Sequence, residues 1–133
     1  MPTRAAPRAP TLFLRLEFGG EDRIGPGKIA LLEAVASERS ISAAARAMGM
    51  SYRRAWLLID TMNRMFREPV VSARPGRAAD GPSAQVTTFG ERLVRLYREA
   101  ERRAGRSCAP LVDELVTALR SGYRPPESKS RTR

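Results

Sequence analysis

The sequence contains no histidine and a single cysteine, Cys108, among 133 residues. The first absence excludes every mechanism that needs an imidazole base or an imidazole metal ligand. The second excludes an internal disulfide and any multi-thiolate metal site, and leaves Cys108 as a structural or incidental thiol. Long hydrophobic runs are missing as well: the apolar stretch nearest the start, Thr11 to Phe18, is interrupted by Arg15 and Glu17. It is too short and too charged for a signal peptide or a membrane-crossing helix. The expectation is a cytoplasmic protein with no membrane partner. Lysine is nearly absent, two residues against 22 arginines, and aromatic residues make up only 6%. Hydrophobic content of 42% still suffices for a packed core, in a length with room for one domain and little more. Carboxylates such as Asp113 and Glu114 are scattered, so no acid–base or nucleophilic constellation can be assembled and no cofactor is implied. An enzyme is the poorest reading.

What the chain does have is positive charge, a formal net of +10 with a pI near 11.2. Its placement is more informative than its total. Residues 40–77 carry seven arginines against Asp60 and Glu68, a net of +5. Residues 11–39 sum to −1 and residues 78–119 to 0, so the excess within the body is concentrated centrally. The ends, 1–10 and 120–133, add +2 and +4.

Both extreme ends read as disordered tails: 1–10 is rich in Pro, Ala and Arg, and 124–133 is basic with Pro125-Pro126 and no apolar residue. Over Thr11–Phe18, Leu12, Leu14, Leu16 and Phe18 alternate onto one face, which predicts a half-buried strand followed by a turn-rich connector through Gly27. Ile29, Leu32, Val35 and Ala36 fall at helical spacing and predict a first helix over 28–37. Ser40 and Ser42 are alternative N-caps for a short alanine-rich helix through Met48, and Gly49 supplies a left-handed turn. Ser51 then caps a third helix to about Arg67, with Pro69 beyond it. Its apolar stripe is Ala55, Leu58, Ile59, Met62 and Phe66. Val70–Arg74 and Gln85–Thr87 read as short strands around a Gly/Pro-rich loop, Pro75 to Pro82. A fourth helix opens at Thr87 or at the capping box Thr88…Glu91, with Phe89, Leu93, Leu96, Tyr97, Ala100 and Ala104 aligned. Gly105 to Pro110 is expected to break it, leaving Leu111–Arg120 as a separate last helix. The fold class is thus mainly α with a small β wing, its body spanning 11–104 and its C-terminal helix 105–123.

A helix, a short alanine-rich helix, a tight Gly turn and a longer basic helix form a helix-turn-helix pattern. The small side chains of Ala43, Ala44 and Ala45 let the second helix cross the third closely. The first half of the third helix is then free to enter a DNA major groove about 12 Å wide. Ser51, Tyr52, Arg53 and Arg54 lie on its polar side and are the candidates for base or phosphate contact. Trp56 lies beside the stripe, between packing at the domain edge and contact with the groove. Ser42 is a candidate cap and phosphate donor. Arg74 and Arg77, at the base and tip of the hairpin, are candidates for backbone contact.

Residues 11–104 resemble the N-terminal winged-helix domain of the ModE-type molybdate-responsive regulators, and more distantly the LysR-type DNA-binding domain. The likeness rests on Lys28-Ile29-Ala30-Leu31-Leu32-Glu33-Ala34, on Ser40-Ile41-Ser42-Ala43-Ala44-Ala45 and on Met50-Ser51-Tyr52-Arg53-Arg54-Ala55-Trp56. It continues through Glu68-Pro69-Val70-Val71 and Thr87-Thr88-Phe89-Gly90-Glu91-Arg92-Leu93. The resemblance implies a winged helix-turn-helix, a third helix that reads double-stranded DNA, and a homodimer built by the terminal helices. A full regulator of this type carries C-terminal oxyanion-binding domains, and this chain ends soon after the dimerisation helices, so molybdate sensing is not expected of it. The resulting expectation is a transcriptional regulator on a palindromic site, associated with the nucleoid. Two alternatives are a winged-helix interaction module working with a separate sensor chain and a nonspecific nucleoid-type DNA binder.

Overall fold

The computed structural model describes residues 10–78 and 81–126. Four helices and two two-stranded antiparallel sheets follow in the order β1 (Leu16–Gly19), β2 (Asp22–Ile24), α1 (Pro26–Glu38), α2 (Ile41–Ala47), α3 (Tyr52–Met65), β3 (Val71–Ala78), β4 (Gly81–Val86) and α4 (Thr88–Thr117). Three helices followed by a hairpin and a further helix is an order compatible with a winged helix. Among the described residues no helix is long and apolar enough to cross a membrane. The expected disordered tails fall almost wholly outside the described residues.

One core joins these elements. Ile29, Leu31, Leu32 and Val35 of α1 are fully buried, and against them pack Ala44 and Ala45 of α2, Ala55, Ile59 and Met62 of α3, and Tyr97 of α4. The predicted core face of α1 is rotated slightly: Leu31 is inside and Ala36 is exposed. Pro26 at the first helical position starts α1 two residues earlier than expected, because its fixed φ suits that position and its missing N–H is not needed there. Ser40 settles the choice of cap for α2: its side chain accepts a hydrogen bond from the Ala43 N–H at 3.0 Å. Ser42, read from the sequence as an alternative cap, sits instead inside that helix. Gly49 adopts φ +67°, the left-handed turn expected of it, and Ser51 accepts from the Arg54 N–H at 3.1 Å. Helix α3 ends at Met65 rather than Arg67, since Phe66 turns to an extended conformation and stacks between Phe18 and Phe89.

Three expectations need correction. Thr11–Phe18 is not one strand: pairing begins at Leu16, and β2 lies within the supposed connector. Only Leu14 and Ile24 of this region pack on the core, and Leu12, Leu16 and Phe18 remain exposed. A two-stranded hairpin has no second layer to bury an alternating face. The wing is longer than read: β3 and β4 consume most of the supposed loop, with Ala78 paired to Gly81. Pro75-Gly76 lies where the register shifts between Ala73 and Arg77, so the proline that lacks a ladder donor sits in an irregularity of the pairing.

The third correction concerns α4, which runs unbroken for 30 residues through Gly105 and Pro110. Proline inside a helix forfeits the bond to the carbonyl four residues earlier. Here that carbonyl belongs to Arg106, which is exposed, so water can satisfy it. The separate last helix, and the break between 104 and 105 that would have set it off, are absent. At 1.5 Å per residue α4 is about 45 Å long. Its first half is tied to the body by Tyr97, whose hydroxyl donates to the Leu14 carbonyl at 2.7 Å, and by Arg98, which bonds Glu33 of α1 and, at 2.7 Å, Glu101. Burial pushes the Tyr97 phenol up from its ordinary value, which keeps it a neutral donor. The hydrogen bonds that Arg98 donates to Glu33 and Glu101 raise its pKa in turn.

Candidate nucleic-acid interface

The side of α3 opposite its buried residues is open to solvent. Ala55, Ile59 and Met62 point into the core, and by the helical period Arg53, Leu57 and Arg64 take the opposite face. Tyr52, Trp56 and Asn63 lie on the flank toward the wing, and Arg54 on the other flank. Arg53 and Arg54 are exposed, and among the described residues neither has an ion-pair partner. Asp60 pairs with Arg64 at 3.2 Å, one turn along the same helix. Ser51 uses its oxygen as an acceptor for the cap, which leaves the hydroxyl hydrogen free to donate outward.

Between α3 and the wing runs a groove of about 390 Å³. Its walls include Ser42 of α2, Tyr52, Trp56 and Asp60 of α3, Ser72 of β3 and Ser83 of β4, over a floor of Ile59, Val71 and Ala84. Trp56 is 46% exposed and Tyr52 54%, so the indole contributes a wall of the groove and also remains open to solvent. Three predicted site residues, Ser42, Tyr52 and Trp56, therefore meet in this groove. Arg53 stands on the ridge beside it, Ser51 at the N-cap and Arg54 on the flank away from it. Arg74 and Arg77 are not part of it: they line a second cleft, of about 320 Å³, with Glu38, Arg39 and Ser83.

Sequence reasoning missed the residue that sets the angle between α3 and the wing. The Asn63 side-chain oxygen accepts from the Val70 N–H at 2.7 Å and from the Val71 N–H at 3.3 Å. Its amide nitrogen donates to the Val71 carbonyl at 3.3 Å. One side chain thus fixes the start of β3 to the last turns of α3. The only signal in the sequence was an amide, a poor helix former, placed beside the apolar stripe. Thr87 closes the far end of the wing, accepting from the Gly90 N–H at 2.9 Å and donating to the Pro69 carbonyl at 2.6 Å. No group of three His, Cys, Asp or Glu that could hold a metal occurs among the described residues.

The chain is 42% identical over 81 residues to the molybdenum-pterin-binding protein MopA of Rhodobacter capsulatus, covering 61% of this chain and 30% of MopA. It is 38% identical over 72 residues to the DNA-binding transcriptional dual regulator ModE of Escherichia coli K12, covering 54% of this chain and 27% of ModE. The chain is homologous to ModE-type proteins. A third relative, the transcriptional regulator ModE of Haemophilus influenzae, is 33% identical over 70% of this chain and 36% of its own length. The chain spans less than a third of the length of MopA and of the Escherichia coli ModE. None of these three names denotes an enzyme. No protein-family model matches the chain.

Proposed function

We propose that this chain is a sequence-specific, DNA-binding transcriptional regulator that acts in the cytoplasm on the nucleoid, with α3 as the recognition helix and β3–β4 as the wing. The observation that carries this reading is the open ridge of α3: Ser51, Tyr52, Arg53 and Arg54 exposed at its first turn, beside a groove rather than under a covering element. Guanidinium groups there suit the O6 and N7 acceptors of guanine, and the exposed Leu57 suits a thymine methyl. The similarity to proteins named as DNA-binding regulators supports the same reading.

Selection from a pool of genomic fragments at two salt concentrations tests it. An enriched inverted repeat is expected, with half-sites about 34 Å apart or a multiple of that. Arg53→Ala with Arg54→Ala is expected to lower the preference for that site by about 100-fold, since each bidentate contact to guanine contributes about 1–3 kcal/mol of discrimination. A double variant that selects the same site would show that α3 is not the reading element. Wild-type binding that is equal for all sequences and vanishes as salt rises would instead make the chain a nonspecific binder.

The inverted repeat requires two copies. The second half of α4 leaves Leu111 65% and Leu115 70% exposed, with Leu119 exposed beyond them. Spacing of four places Leu111 and Leu115 on one helical face, and a second copy of α4 is the homodimer partner in this reading. Leu111→Glu with Leu115→Glu is expected to convert a dimer into a monomer in analytical ultracentrifugation while leaving the melting temperature of the body nearly unchanged. A wild-type chain that is already monomeric would shift the role of this face to a separate sensor protein.

A further inference from the structure

We infer that Arg39 is a third phosphate-binding residue, acting with Arg74 and Arg77 on the DNA backbone that passes the outer side of the wing; the inference rests on the DNA-binding reading above. Arg39 is the only non-glycine residue with positive φ among the described residues, at φ 62° and ψ 18°. An L side chain in this left-handed region is strained by its Cβ, a strain that glycine escapes. The backbone there is pinned twice: its N–H donates to the Val35 carbonyl at 2.8 Å and its carbonyl accepts from the Ala84 N–H at 2.9 Å. Both bonds belong to the main chain, so glycine would make them equally well. The fold requires the conformation but not the arginine.

Arg39 lines the 320 Å³ cleft together with Arg74 and Arg77. Among the described residues, three arginines border this cleft against one acid, the exposed Glu38. Among the described residues none of the three arginines forms an ion pair. Ser83 of β4 borders both this cleft and the groove beside α3. A duplex seated against α3 therefore carries its sugar-phosphate backbone toward the cleft. Guanidinium is charged at every working pH, and its planar fork matches two phosphate oxygens. The ligand is a phosphodiester, read for its charge and not for its sequence.

Arg39→Gly isolates this role, because it keeps both backbone bonds and relieves the strained φ. Its melting temperature is expected to equal or exceed that of the wild type. Binding to the selected duplex is measured from low to high salt. Losing one phosphate contact should reduce the slope of log K against log[salt] by about 0.9, or about eightfold in affinity at 0.1 M relative to 1 M salt. The loss should be the same for every duplex, with site preference intact, and Arg39→Lys should keep the slope. An unchanged slope in Arg39→Gly overturns the inference and leaves the DNA-binding reading standing, and a changed site preference overturns it by making Arg39 a base reader. Saturable, Arg39-dependent binding of inorganic phosphate by the wild type overturns it as well, by marking a free-anion site. A wild-type chain that binds no duplex overturns the parent reading and this one with it.

Discussion

Gly90→Ala is expected to lower the stability of the domain by ~3 kcal/mol or more, visible as a fall of over ten degrees in the calorimetric midpoint. A Cβ built on Gly90 would stand 2.3 Å from the Val70 carbonyl oxygen and 2.6 Å from Cγ1 of Val86. The valine methyl can rotate away, but the carbonyl cannot. It already accepts the Thr87 N–H at 2.9 Å, and that bond is part of the joint where α4 leaves the wing. Any added atom must push the first turn of α4 off the base of the hairpin. Gly105 is the matching control. It lies in the same helix, and a Cβ there meets nothing within 4 Å. Gly105→Ala should therefore stabilise by about 0.5–1 kcal/mol, because the helix gains propensity without a clash. If the two substitutions changed stability in the same direction, the close packing of Gly90 against Val70 would be wrong.

Asn63→Ala is expected to cost about 3 kcal/mol and to weaken DNA binding further than stability alone accounts for. Two main-chain donors, at Val70 and Val71, lose their acceptor in this variant, and both residues are buried. An unsatisfied buried donor costs about 1–3 kcal/mol. The effect on function comes from geometry. Asn63 is the side chain that ties β3 to α3, so without it the wing is free to move relative to the recognition helix. Asn63→Asp separates the two contributions: its carboxylate still accepts both N–H groups and loses only the donation to the Val71 carbonyl. Aspartate should recover most of the stability and most of the binding, measured by thermal melts and by titration of the selected duplex. Equal losses for alanine and aspartate would assign the role of Asn63 to packing and not to its acceptor oxygen.

The stretch from Ser40 to Met65 was the most legible part of the chain, and the reason is locality. Ser51 caps α3 by a bond three residues away, Gly49 takes its left-handed conformation within a four-residue turn, and the buried set Ala55, Ile59 and Met62 follows from the helical period alone. The basic charge of 40–77 and the outward face bearing Arg53 and Arg54 could be read the same way. Where sequence reading went astray, the deciding partner lay far along the chain or the surroundings were solvent. Pro110 looked like a helix terminator, yet at an exposed position water can satisfy the freed carbonyl, and α4 continues. The loop from Pro75 to Pro82 looked irregular, yet the two arms pair across it once the base is fixed by Asn63 and Thr87.

The sequence by itself determined that α2, the turn and α3 would form as they do, that α3 would carry arginines outward, and that imidazole chemistry was excluded. These properties depend on backbone bonds three or four residues apart and on composition. Only the tertiary structure decided that Gly90 must be glycine, that Asn63 sets the wing, and that Arg39 shares a cleft with Arg74 and Arg77. Each of these depends on a contact between residues at least seven positions apart in sequence. Neither propensity nor periodicity encodes such contacts; the packing of one element against another creates them.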